Sequence, residues 1–209
     1  ESGEGANRTM YIHKLTKDWT NVDESQGYVA KLFEGQYREA PAMVKVDGGT
    51  FQMGATREQE ASGWKPDRTE YPVHKVTLNT FYIGETEVTK ELWSAVMETE
   101  CDYSEYHKPQ GVEWNDIQPF IERLNQATGL KFRLPTDAEW EYAARGGNRS
   151  QGHIYPGSDI SILAAWCYNN AGTYILNENK WDYWELRNNG NSPHYVKQLL
   201  PNELGLYDM

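Results

Sequence analysis

The chain has 209 residues, and its 31 acidic and 20 basic residues give a formal net charge of −11 at pH 7. No apolar run approaches the roughly 18 residues of a membrane-spanning helix. No basic stripe is present that could neutralise nucleic-acid phosphates. Because 13% of the residues are aromatic, the composition is typical of a folded domain and not of a disordered chain. The composition therefore predicts an acidic globular protein with no nucleic-acid partner and no transmembrane segment.

The cysteines and the start of the sequence bear on the compartment. Cys101 and Cys167 are too few for a disulfide framework and lack the spacing of a metal site, so they could form one bridge, be two buried thiols or be unrelated. The sequence opens without Met, which would fit a chain from which a signal or lipoprotein leader has been removed. Residues 7–9 and 148–150 are glycosylation sequons. The sequons matter only in a glycosylating secretory pathway. The missing initial Met, the richness in Trp, Tyr and Asn, and the lack of a basic surface predict a periplasmic, cell-surface or secreted location.

Residues 1–41 are polar and weakly patterned, and we interpret them as an N-terminal extension of unknown role. Short strands are predicted in the chain order 9–13, 28–33, 43–46, 50–54, 73–78 and 81–88. Asp47, Gly48 and Gly49 have turn composition, which predicts a hairpin between the third and fourth of these strands. Glu85 and Glu87 alternate along the last strand, where paired acids could perform acid–base chemistry, hold a cation, or cap the next helix and pair with basic residues.

Three helices are predicted after these strands. Thr89 opens the first helix, and Asn115 caps the second, which ends at Gly129. Thr136 and Glu139 have the spacing of a capping box, which starts the third helix. Beyond residue 147 the chain is rich in Asn, Gly, Tyr and Trp and is predicted to be a long irregular loop, which is usually functional or organised by a metal. The pattern as a whole predicts an α+β architecture with long irregular loops.

Five sequence blocks resemble the formylglycine-generating enzyme / sulfatase-modifying-factor domain family. The blocks are MVKVDGGTFQMG (43–54), PVHKVTL (72–78), FYIGETEVT (81–89), RLPTDAEWEYAARGG (133–147) and PNELGLYDM (201–209). The resemblance implies a C-type-lectin-like fold over residues 42–209, with short antiparallel strands, about three helices and long loops. Members of the family continue beyond the last block, so the resemblance also implies that the family's C-terminal segment is missing here.

The fourth block is interpreted as structural. Arg133 is expected to form a partly buried ion-pair set with Glu139 and Glu141 around the third helix. Thr136 caps that helix, and Trp140 lies on its apolar face.

The resemblance also bears on cofactors. In the enzymes of the family, the cysteine pair that binds copper lies in the segment after the last block, so copper is expected here only if such a pair follows residue 209, and no catalytic residue is assigned. One calcium site of the family uses an Asn after the third helix. The best register places Trp166 there, and a shifted register offers Asn169 or Asn170 as calcium ligands.

Residues 174–195 resemble an insertion relative to typical members. Aromatic rings among Asn and Gly suit recognition of a protein or a glycan, because they give large contact area at low entropic cost. The candidate ligand-binding residues are Tyr174, Trp181, Tyr183, Trp184 and Tyr195. The alternative is that these rings pack the loop onto the domain.

Two functions are therefore predicted. The first is a non-catalytic binding or scaffold module, exported or surface-exposed, that recognises a protein or glycan through these aromatic residues. The alternative is the N-terminal part of a copper-dependent formylglycine-generating oxidase that matures sulfatases.

Overall fold

A computed structural model describes residues 10–11, 16–17, 42–61, 68–176 and 182–209 of the chain. These residues form eight short strands: β1 (Met10–Tyr11), β2 (Thr16–Lys17), β3 (Met43–Val46), β4 (Gly49–Met53), β5 (His74–Leu78), β6 (Phe81–Gly84), β7 (Gly111–Val112) and β8 (Phe132–Arg133). They also form six α-helices: α1 (Arg57–Ala61), α2 (Lys90–Met97), α3 (Trp114–Thr128), α4 (Asp137–Ala144), α5 (Ser161–Ala164) and α6 (Tyr183–Asn188). The α+β prediction is confirmed. The prediction of about three helices is wrong in number, because α1, α5 and α6 add three short helices to α2, α3 and α4.

The strands form three small antiparallel sheets. The largest has the order β3–β6–β2–β8, and the other two are the pairs β4–β5 and β1–β7. Strand β1 lies within the strand predicted at residues 9–13, whereas the strand predicted at residues 28–33 lies outside the described residues. Residues before 42 thus supply two strands to sheets whose other strands come from the rest of the chain.

The predicted hairpin between β3 and β4 is wrong. Strand β3 pairs with β6 and β4 pairs with β5, so the two strands belong to different sheets. Gly48 is required by a close backbone approach, since a Cβ atom there would lie 2.5 Å from the carbonyl oxygen of Leu78. The amide of Gly48 donates to Thr80 Oγ1 at 3.1 Å. The Gly-Gly pair therefore lets the chain pass from one sheet to the next beside the β5–β6 connection.

The strand predicted at residues 81–88 is shorter than expected. Strand β6 ends at Gly84, and the following residues bend away. Glu85 and Glu87 therefore do not share a strand face. The amide of Glu85 donates to the Ala42 carbonyl at 2.8 Å, and its carboxylate pairs with Lys197.

The predicted helix boundaries are confirmed for α2 and α4 but not for α3. Thr89 caps α2, and Thr136 with Glu139 forms the predicted capping box of α4. Helix α3 begins at Trp114, one residue before the predicted cap. Strand β7 ends at Val112, so only one residue separates the strand from the helix. Pro119 consequently lies inside the helix and not in its first turn. Gly129 ends α3 with φ of 69°, as predicted.

Two hydrophobic clusters form the core. The first joins α2, α3 and β8, and its buried residues are Val88, Leu92, Val96, Val112, Ile117, Phe120, Ile121, Leu124 and Phe132. The second joins β3, β6, α4 and the last residues of the chain, and consists of Val46, Phe81, Ile83, Tyr142, Ala143, Ala144, Leu206 and Met209. The last sequence block therefore belongs to the core.

The prediction of one long loop after residue 147 is wrong in part, because α5 and α6 interrupt it. Helix α6 is capped by Asp182, whose side chain accepts from the Glu185 amide at 2.8 Å. Asn189, which is fully buried, follows the helix and exchanges side-chain hydrogen bonds with the backbone of Tyr174 at 3.0 and 2.8 Å. The aromatic segment is thus held on a small helical frame.

Candidate functional site

The start of α4 is organised by one buried carboxylate. Glu139 accepts hydrogen bonds from both terminal nitrogens of Arg133 at 2.7 Å and from the Thr136 amide at 2.8 Å. Burial alone would raise the pKa of the Glu139 carboxyl, but its bonds to Arg133 and Thr136 hold that pKa below its usual range. The predicted pair of Arg133 with Glu139 is confirmed.

Glu141 has different partners from those expected. Its carboxylate pairs with Arg145 at 2.7 Å and accepts the Gly54 amide at 2.9 Å, and Arg145 in turn donates to the Gly54 carbonyl at 2.6 Å. The predicted set of Arg133 with both acids is therefore wrong for Glu141. The Glu141–Arg145 pair ties α4 to the end of β4.

Trp140 and Met209 both line two neighbouring cavities. The first cavity, of about 420 Å³, contains the Glu141–Arg145 pair in its wall, together with His74, His153 and Glu203. Several of its polar groups are engaged in the protein, since His153 Nδ1 lies 3.2 Å from Asp159 and Glu203 accepts the Gln151 amide at 2.9 Å.

The second cavity, of about 800 Å³, is named the acidic cavity because Glu87 and Asp208 line it. Its other lining residues are aromatic, aliphatic or uncharged polar, apart from one histidine: Pro109, Trp140, Ala165, Trp166, Cys167, Tyr168, Ala171, Leu186, Asn191, Ser192, Pro193, His194, Tyr195, Val196 and Met209. Its volume is within the usual range of ligand pockets, roughly 300–1,000 Å³. The cavity is therefore large enough for a ligand, and most of its wall is uncharged.

The predicted aromatic residues divide into two groups. Tyr195 lines the acidic cavity, and its hydroxyl donates to the Ser104 carbonyl at 2.8 Å. Tyr183 and Trp184 project from α6 with 66% and 64% of their surface exposed, and their ring centroids lie 5.3 Å apart. Tyr174 is also exposed, beside the other end of α6. Trp181 lies outside the described residues.

Asn169 and Asn170 are buried and surround the Cys167 thiol. The Cys167 sulfur lies 2.6 Å from Asn169 Oδ1, and the Cys167 amide donates to Asn170 Oδ1 at 2.7 Å. In the part of the chain that the structure describes, no group of three His, Cys, Asp or Glu side chains could hold a metal ion. Calcium binding by the two asparagines remains a prediction. Trp166, which the best register places at the family's calcium position, stacks on His194 with ring centroids 3.8 Å apart.

Both cysteines are free thiols, so the bridge between them that the sequence left open is not formed.

Sequence reasoning missed the acidic cavity. Glu87 and Asp208 are distant in sequence, and neither has a spacing that signals a shared site. Asp208 is 8% exposed and adopts a left-handed backbone conformation with φ of 52°. The available signals were Glu87, which the sequence analysis paired with Glu85, and the acid in the last block.

No helix among the described residues is both long and apolar enough to cross a membrane.

Comparison with known proteins identifies the family. The sequence model of one protein family, described as the sulfatase-modifying factor enzyme 1-like domain, matches residues 29–209 of this chain. The chain is 33% identical over 203 residues to the chaperone protein LppX of Paenibacillus barcinonensis, covering 80% of this chain and 67% of that protein. It is 24% identical over 225 residues to the formylglycine-generating enzyme of Streptomyces coelicolor, covering 82% of this chain and 66% of the enzyme.

A third relative is a longer protein that contains a segment similar to this chain. The serine/threonine-protein kinase pkn1 of Chlamydia pneumoniae is 31% identical over 133 residues, which are 50% of this chain and 19% of the kinase. The chain thus spans about two thirds of the length of LppX and of the formylglycine-generating enzyme, and about a fifth of the kinase. The arrangement of helices and short antiparallel strands fits a C-type-lectin-like fold. From the extent of the family match we conclude that the chain belongs to the sulfatase-modifying factor enzyme 1-like domain family.

Proposed function

We propose that the chain is a non-catalytic binding module of this family, exported or surface-exposed, that recognises a protein or a glycan. The binding surface, named the aromatic surface, consists of Tyr174, Ile175, Tyr183 and Trp184. The observation that carries the proposal is the pair of adjacent rings on α6, which are held in contact with each other and are nevertheless about two-thirds exposed.

The aromatic surface has the properties of a recognition surface. Tyr174 and Ile175 are 56% and 63% exposed, so apolar side chains face solvent at both ends of α6. A helix of six residues is about 9 Å long, so the two groups are close enough to contact one partner. Exposed Tyr and Trp side chains supply much of the binding energy in protein interfaces. Similarity to a protein named a chaperone supports a polypeptide partner in preference to a glycan.

Binding is tested with an unfolded polypeptide and with a glycan array. We expect unfolded ribonuclease with blocked cysteines to bind the chain, and the double variant Tyr183→Ala, Trp184→Ala to bind it about tenfold or more weakly, as for the loss of two interface hot spots. Fluorescence anisotropy measures the dissociation constant.

The matched control is Trp114→Ala, which removes a tryptophan that is 62% exposed on α3. This variant should bind like the unsubstituted chain. If the double variant and the control bound equally well, to the unfolded ribonuclease or to a glycan, the aromatic surface would not be the binding surface.

A second candidate function is the copper-dependent oxidation that matures sulfatases. Similarity to the Streptomyces coelicolor enzyme, which extends over most of this chain, favours it. The copper-binding cysteine pair would then lie in sequence after residue 209. The test is oxygen consumption and conversion of cysteine to formylglycine in a Cys-x-Pro-x-Arg peptide, with copper present and with the protein purified from its native host. If peptide is converted, this second function replaces the binding role; if it stays unmodified and no oxygen is consumed, the binding role is retained.

A further inference from the structure

Despite its two acids, the acidic cavity is lined mainly by apolar surface. Trp166 and Tyr195 contribute aromatic rings to the wall, and Leu186 and Met209 contribute apolar side chains. The Trp166 ring is held in place by His194, whose ring stacks on it with the two planes 13° from parallel. A ring that is ordered before a ligand arrives loses little conformational entropy on binding. The wall is therefore prepared for contact with another apolar group.

Most of the polar groups in this wall have partners within the protein. The Tyr195 hydroxyl and the His194 Nε2 atom each donate to a backbone carbonyl, at 2.8 and 3.1 Å. The side-chain nitrogen of Asn191 donates to a third carbonyl at 2.6 Å, and its oxygen accepts a hydrogen bond from a neighbouring asparagine at 2.9 Å. Glu87 and Asp208 also interact with other groups of the protein. Binding of a ligand in the cavity therefore depends on the burial of apolar surface and not on a charge.

The indole nitrogen of Trp166 is an exception among the polar groups. Its N–H is buried and has no acceptor among the described residues. A buried donor without an acceptor is costly, so a ligand that brings an acceptor next to this ring relieves that cost. A polypeptide carries a backbone carbonyl beside every side chain, whereas a purely hydrocarbon ligand has no acceptor. The unpaired donor thus favours a polypeptide ligand.

The cavity adjoins the aromatic surface through α6. Tyr183 and Leu186 are three residues apart on this helix, so their side chains lie on the same side of it. Tyr183 belongs to the aromatic surface, whereas Leu186 lines the cavity. Tyr195, in another part of the cavity wall, is 41% exposed, so an aromatic ring of the wall also faces solvent. A partner that contacts Tyr183 therefore has its neighbouring residues within reach of the cavity.

We propose that the acidic cavity binds an aromatic side chain of the polypeptide partner. The ligand's ring packs against Trp166, Tyr195 and Leu186 while the rest of the partner contacts the aromatic surface. Contacts between aromatic rings stabilise such a complex beyond the burial of area alone, which favours an aromatic side chain over an aliphatic one. The inference rests on the proposed binding function and adds the class of side chain that the partner presents.

The test compares pentapeptides with blocked termini that differ only at the central residue. Labelled Gly-Ser-Phe-Ser-Gly and its Leu, Ala and Lys counterparts are titrated with the full chain, and anisotropy reports binding. We expect the Phe peptide to bind about tenfold or more tightly than the Ala peptide, because its ring is removed from water. The Leu peptide should bind with intermediate affinity, and the Lys peptide no more tightly than the Ala peptide. Added salt should leave the binding of the Phe peptide nearly unchanged.

Two substitutions change the wall of the cavity in opposite ways. Leu186→Ala removes apolar contact, and Ala171→Phe places a ring in the space that the ligand would occupy, so each should weaken the binding of the Phe peptide about fivefold or more. The matched control Leu200→Ala truncates a leucine that is 52% exposed and lies outside the residues that line the cavity, and should bind like the unsubstituted chain. A peptide with benzoylphenylalanine at its centre gives a second readout on the unsubstituted chain, in which the photochemical cross-links should map to Leu186 or Met209.

Three results would overturn the inference: equal binding of the Phe and Ala peptides, cross-links that map only outside the cavity, or a dimer of the chain that dissociates when the Phe peptide is added. The last result would assign the cavity to a second copy of the chain. The proposed function would survive any of them if unfolded ribonuclease still bound through Tyr183 and Trp184. If ribonuclease binding did not depend on those two residues and the Phe preference were intact, the cavity alone would be the recognition site.

Discussion

Replacement of Phe120 by alanine is expected to lower the free energy of unfolding by about 3–5 kcal/mol. The side chain is completely buried in the first hydrophobic cluster and stacks on Trp93, with ring centroids 4.7 Å apart and planes 9° from parallel. Truncation removes this apolar contact and leaves a cavity between α2 and α3. Because domains of this size are stable by only about 5–15 kcal/mol, the loss is a large part of the total.

Urea unfolding followed by far-UV circular dichroism measures this effect. Trp114→Ala is the matched control, since it truncates an aromatic residue of the same helix that is 62% exposed. The control should change stability by less than about 1 kcal/mol. Similar losses in the two variants would show that the packing of Phe120 against Trp93 is not a main source of stability.

Replacement of Glu139 by alanine is expected to cost about 2–3 kcal/mol. The carboxylate satisfies both terminal nitrogens of Arg133 and the Thr136 amide, so its removal leaves several donors without their acceptor at once. The cost stays moderate because the Arg133 side chain is 36% exposed and can be hydrated. Asp137→Ala is the control, because Asp137 is an exposed acid in the same first turn and contributes mainly through the helix dipole.

The stabilisation by Glu139 depends on pH in a defined direction. Since its pKa in the folded chain lies below the usual value of about 4.3, its contribution is complete above that pH and is lost as the pH falls through the folded-state pKa. The unfolding free energies of the unsubstituted chain and of Glu139→Gln should therefore differ most at neutral pH and converge in acid. A difference that stays constant from pH 7 to pH 3 would contradict an ionised Glu139 as the source.

Local sequence signals correctly predicted those elements whose hydrogen-bond partners lie close together in the sequence. The capping box of Thr136 and Glu139 starts α4 as predicted, because both bonds of the box lie within four residues of each other. Gly129 likewise ends α3 as predicted, because glycine readily adopts the left-handed conformation that closes a helix. The cap of α3 was missed, because the pairing of β7 fixes its start and a single segment does not reveal that pairing.

Features that depend on distant segments were not predictable from local patterns. Gly48 and Gly49 have turn composition, but Gly48 is needed because the backbone of the β5–β6 connection lies against it. The acidic cavity likewise depends on tertiary structure, since it brings together Glu87, Asp208 and the loop around His194. The wrong partner of Glu141 has a different origin, because Arg145 lies four residues along the same helix and this local spacing was available in the sequence.

The position of β2 has a consequence for the order in which the protein folds during its synthesis. Strand β2 lies between β6 and β8, and it emerges from the ribosome long before β8. Until Phe132 and Arg133 have been synthesised, the edge of β2 that pairs with β8 has no partner strand. The first hydrophobic cluster also lacks Phe132 until then. Contacts between such distant segments form slowly. An unpaired strand edge invites association with other chains, so the two-residue length of β2 limits this hazard while the chain is being made.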